Sequence, residues 1–115
     1  MSHEASQSVI RAAMSDMVNA VTALRQLGNG PMAEALKNLA ERIAGCALPT
    51  SDRQEIIENL VFVGQQAQLQ PEKRKRGIVK AALIFVKDTM QRSEPLHDAW
   101  HTFGHTVENF FHLQA

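Results

Sequence analysis

The sequence predicts an all-α protein, an antiparallel bundle of four to five helices formed as a single domain over residues 1–115. Three observations carry that reading. Apolar residues recur at steps of three and four along most of the chain, the spacing of one helix face. Aromatics are scarce (five Phe, one Trp, no Tyr), so the core must be built from aliphatics, Ala and Met. That palette, with Gln, Glu, Lys and Arg at polar positions, loses little on entering a helix. The four prolines fall at the seams between periodic stretches, where they punctuate rather than kink.

The elements follow in order. Ile10, Met14, Met17, Val21 and Leu24 step by four, three, four and three, which predicts a first helix with one apolar stripe. Gly28-Asn29-Gly30-Pro31 ends it, since Gly takes a left-handed cap and Pro opens the next helix. Met32, Leu36, Leu39, Ile43 and Cys46 repeat the pattern, so residues 5–46 read as a helical hairpin. Ser51 and Gln54 have the spacing of a capping box, and a third helix is expected over about 52–69. Its apolar side carries Ile56, Ile57, Leu60, Val61, Gly64 and Ala67.

Gln70-Pro71-Glu72 separates that helix from a fourth, expected at about 72–92. Residues 78–86 are apolar except Lys80, a run that also suits a strand, but the flanks extend the pattern to helix length. A helix apolar nearly all round belongs in the middle of a bundle, so this segment is expected to be central. Pro95 opens a fifth helix over about 94–112.

Bulk properties exclude several functions. Twelve basic and twelve acidic residues cancel, leaving no whole-molecule field for nucleic acid or anionic lipid. Cys46 is the only cysteine, so no internal disulfide forms, which suits a reducing compartment. MSHEASQSVI lacks the basic start and apolar run of a signal peptide, and no apolar stretch approaches the ~20 residues of a membrane span. A cytoplasmic protein is expected. No phosphate-binding loop, dinucleotide fingerprint or nucleophile elbow is present, and no cofactor is expected.

Four features bear on chemistry. His97, His101, His105 and His112 crowd the last helix. At ~100° per residue they fall opposite Leu96, Trp100, Phe103, Val107, Phe110 and Phe111, so a solvated face is expected. The sharper alternatives are a pH-sensitive contact surface and a metal site. For metal the candidates are His101, His105 and Glu108, because His97 and His105 lie ~12 Å apart along one axis. Second, Lys73, Arg74, Lys75 and Arg76 stand at a predicted helix start, where positive charge costs about 0.3–1 kcal/mol each. They are candidates for an anion or nucleic-acid contact, with pairing to Asp52, Glu55 and Glu58 or solvation as the plainer expectation.

Third, Glu55 and Glu58 have the E-x-x-E spacing that holds magnesium in all-helical nucleotide pyrophosphatases. Ile56, Leu60 and Val63 put them on the wet side. Fourth, Cys46 and the Met14/Met17/Met32 group fit core filling better than a nucleophile or an adaptable groove.

The string PEKRKRGIVKAAL, with WHTFGHTVENFF after it, resembles helical C-terminal segments of small uncharacterised bacterial proteins. The resemblance covers residues 71–113 and implies a bacterial helical accessory segment without catalytic residues. Gly104, beside the Trp100/Phe103 stripe, is expected to allow close helix packing. Together these features predict a non-enzymatic interaction or regulatory protein of bacterial type, acting on itself as a homodimer or on another protein. Nucleic-acid binding through residues 73–76 and a metal-dependent bundle hydrolase are the alternatives.

Overall fold

Six α-helical segments, a 3₁₀ turn and a π turn make up the computed structural model, which describes residues 3–112, with side chains from residue 7. The side chain of His3 and residues 113–115 lie outside that description. In order, α1 spans His3–Gln26, α2 Gly30–Ala44, α3 Thr50–Ala67 and α4 Arg76–Gln91. The C-terminal rod then runs as α5 (Glu94–Ala99), a π turn (Trp100–Gly104) and α6 (His105–Phe110) without leaving helical dihedrals at the joins. Among the described residues there is no strand, and the run 78–86 is helical.

The hairpin forms as its punctuation predicts. Gly28 takes φ +83°, and the N–H groups of Gly28 and Asn29 reach back to the carbonyls of Arg25 and Leu24. Pro31 lies in the first turn of α2, where a missing N–H costs nothing. Arg25 bonds Glu34 across the turn, and this hydrogen bond holds the Glu34 carboxyl below its usual range. Both side chains are exposed, so the pair adds little to stability.

The predicted stripes are the core. Ile10, Met17, Val21 and Leu24 of α1 meet Met32, Leu36, Leu39 and Ile43 of α2, all buried. Ile56, Ile57, Leu60 and Val63 of α3 are fully buried, each contributing about 1.5–3 kcal/mol through burial. Gly64 lets α3 approach closely: a Cβ there would lie 3.2 Å from Ala20 Cβ and 3.3 Å from Leu36 Cδ1.

Two expectations about α3 and α4 need correction. The capping box does not form, because α3 begins at Thr50 with Pro49 as N-cap and no side-chain cap. Gln54 donates instead to Glu58 Oε2 at 3.0 Å. The connection is tied from the other side by Arg53. Its guanidinium donates to Ala44 O (2.8 Å), Leu48 O (2.9 Å) and Thr50 Oγ1 (3.2 Å), closing the carbonyl end of α2. Arg53→Met keeps the apolar stem but loses these bonds. It is expected to cost about 1–3 kcal/mol, read as a lower urea midpoint at unchanged m-value.

Nor is α4 central. The central walls are α2, which touches α1, α3 and the C-terminal rod, and α3, which touches α1, α2 and α4. In α4, Val79, Ala82, Leu83, Val86, Thr89 and Met90 face inward, whereas Ile78, Lys80, Ala81 and Ile84 are exposed. The apolar composition of this helix therefore divides into a core face and an uncovered strip. Its start is also later than expected, since Pro71–Lys73 forms a 3₁₀ turn and Arg74 is extended.

Candidate functional surfaces of the C-terminal half

The four cations of residues 73–76 separate into two roles. Arg74 folds back on the end of α3, donating to Leu69 O (3.0 Å) and Ala67 O (3.1 Å). Its guanidinium also lies 4.7 Å from the Phe110 ring centroid and 5.5 Å from that of Phe111. Burial there pushes its pKa below the usual value, with Glu72 opposing. Arg76 donates to the carbonyls of Phe111 and His112, each at 3.1 Å, at the end of α6. The Lys75 N–H donates to the buried Gln66 Oε1 at 2.8 Å.

This resolves the misplaced charge of the sequence reading. Cations are unfavourable at a helix N-terminus and favourable at a C-terminus, where unpaired carbonyls carry negative partial charge. The fold brings two C-termini, those of α3 and α6, to Arg74 just before α4 and Arg76 at its first position. Lys73 and Lys75 remain exposed to solvent.

Beyond them lies the uncovered strip of α4. Ile78 is 55% exposed and Ile84 50% exposed, with Ala81 between them. Lys80, Ile84 and Lys87 border a shallow recess shared with Leu83 and with Glu108 of α6. Lys80 and Lys87, seven apart, mark a polar flank in an otherwise apolar run, but nothing in the sequence tells that Ile78 and Ile84 stay uncovered. Residues 71–92 hold seven Lys/Arg against two Asp/Glu, a net +5 in a chain whose total is zero.

The last rod sorts its side chains as the helical wheel expects. Leu96, Trp100, Val107 and Phe111 are buried, Phe103 and Phe110 half-buried, and His97, His101, His105 and His112 exposed. His101 and His105 stand edge to face, with ring centroids 5.4 Å apart and planes at 81°. His105 Nδ1 lies 3.5 Å from Glu108 Oε1, and the Glu108 side chain is largely shielded. Among the described residues, no three His, Cys, Asp or Glu side chains gather as a metal-binding group. Gly104 does permit a close approach, and the side chain nearest to it is Trp100 of its own rod.

Glu55 and Glu58 are exposed on α3, and Cys46 is a free, half-buried thiol packed against the core. Of the three methionines read as core filling, Met17 and Met32 are buried and Met14 half-buried. A recess between the start of α1 and the α2–α3 connection is lined by Ile10, Arg11, Met14 and Arg53 among others. No helix among the described residues is long and apolar enough to cross a membrane. No protein-family model, curated protein or solved structure matches the chain.

Proposed function

We propose that this chain is a non-enzymatic interaction protein of bacterial type that works in the cytoplasm and docks an acidic protein surface on the outer face of α4. The observation that carries the reading is the pair of half-exposed isoleucines, Ile78 and Ile84, set among Lys73, Lys75, Lys80 and Lys87. Apolar side chains flanked mostly by lysines, with Asp88 and Glu108 as the acidic neighbours of Ile84, have the make-up of a docking patch of net positive charge. The apolar part supplies affinity, and the charge supplies orientation and rate. Self-association through this face would bring like charges together, which favours a different protein as partner. The engagement of Arg74 and Arg76 with carbonyls and rings leaves fewer cations for phosphate, which favours protein over nucleic acid.

Site-specific photo-crosslinking in cells tests the reading. A benzophenone residue at position 84 is expected to give one discrete protein adduct, and the same residue at Ser15 of α1 none. The adduct is identified by mass spectrometry, and the purified partner is titrated against the chain. Lys80→Glu with Lys87→Glu should weaken that binding at least tenfold without changing helicity, and added salt should weaken it for the native chain. Adducts only with nucleic acid or lipid, or none, overturn the proposal.

A further inference from the structure

His101 and His105 have a geometry that the docking face does not use. We propose that they form half of a zinc site, completed by the same pair from a second copy, so that one ion bridges two chains about a twofold axis. Two exposed imidazoles one turn apart, edge to face at 5.4 Å, are within reach of a single ion. His105 also has the partner that ligating histidines characteristically have. Its Nδ1 lies 3.5 Å from Glu108 Oε1, close enough for a small side-chain rotation to form the orienting hydrogen bond, which would leave Nε2 as the lone-pair nitrogen for a metal. Glu108 thus acts as an orienting group rather than as a third ligand.

The backbone beneath the pair is held. His101 lies in the π turn and His105 directly follows it, while buried Trp100 packs on Gly104 so closely that a Cβ there would meet the indole at 2.4 Å. A rigid platform reduces the ordering cost of chelation. Charge also favours a cation. Residues 93–115 contain Glu94, Asp98 and Glu108 but no Lys or Arg. From α4, Lys80 and Lys87 share the recess with Glu108 and oppose this field in part.

The second copy follows from coordination number. Zinc in structural sites takes four ligands in a tetrahedron and accepts imidazole readily. One chain supplies two, and among the described residues no third ligand gathers. A twofold axis through the ion supplies the other pair with identical geometry, as an isologous interface requires. Without metal, the carboxylates on each rod repel their copies, so the association depends on the ion. The site borders the α4 docking face, since Glu108 shares a recess with Lys80, Ile84 and Lys87, but its ligands His101 and His105 belong to the C-terminal rod.

The test is sedimentation velocity of the metal-free full chain titrated with zinc chloride in a buffer that does not chelate metal. Conversion from monomer to dimer is expected, saturating at one zinc per two chains and reversed by EDTA. His101→Ala and His105→Ala should each abolish the dimer at unchanged helicity, whereas His97→Ala should leave it intact. Glu108→Gln should weaken zinc affinity about 10-fold or more, by loss of the orienting carboxylate. The proposal is overturned by absence of micromolar zinc binding, by one zinc per monomeric chain, by a dimer that persists in EDTA, or by a zinc dimer insensitive to His105→Ala.

Discussion

Gly104→Ala is expected to destabilise the protein by about 1–3 kcal/mol or more, the cost of overpacking a filled site. In an ordinary helix interior the same change stabilises by about 1 kcal/mol, because glycine loses more backbone entropy on folding. Here the sign reverses. An ideal Cβ at Gly104 would lie 2.4 Å from both Cδ2 and Cε2 of Trp100 and 2.8 Å from Cε3. The indole is rigid and 3% exposed, so it has no free space to move into. Its Nε1 is buried without a hydrogen-bond partner among the described residues, so packing holds it in place. Urea unfolding measures the effect. Combining Gly104→Ala with Trp100→Leu should cost less than the sum of the single changes, since the smaller side chain removes the clash. A stabilised Gly104→Ala variant would show that the indole does not occupy this position.

Phe111→Ala is expected to cost about 3–5 kcal/mol, a loss typical of a central core residue. Phe111 is 2% exposed, stacks edge to face with Phe110 at 5.1 Å, and lies beneath the Arg74 guanidinium. Its carbonyl also accepts from Arg76, so the end of the rod is tied by side chain and backbone together. Half-buried Phe110 should cost distinctly less on truncation, and the difference in urea midpoints checks the ranking. Equal losses at the two positions would mean that the rod is held by its aromatic content rather than by this one buried ring.

Much of the fold was legible in the residues because its determinants are local. The three-four spacing of Ile10, Met17, Val21 and Leu24 marks a buried stripe wherever the helix ends up. Gly28 and Pro31 act through their own backbone preferences, and the turn forms where they stand. The histidine face was legible for the same reason, since angular position on a helix separates His101 from Trp100 without knowledge of a neighbour.

Other features escaped because their cause lies elsewhere in the chain. An apolar Ile84 reads the same whether a neighbour covers it or not, so the exposure of α4 could not be told from its composition. The π turn coincides with the seat of Trp100 against Gly104 within the packed rod, a contact the residue spacing does not reveal. The expected Ser51 cap lost to a helix start two residues earlier, with Arg53 tying the connection.

The sequence by itself determined where the helices run, which face of each is apolar, and that His101 and His105 share a wet surface. Tertiary structure alone decided what the cations do. Lys73 to Arg76 look misplaced at a helix start, until Phe111, 35 residues beyond Arg76, brings its carbonyl within 3.1 Å. A guanidinium bonds whichever unpaired carbonyls are nearest in space, and nearness across 35 residues is set by packing of the core, not by order along the chain.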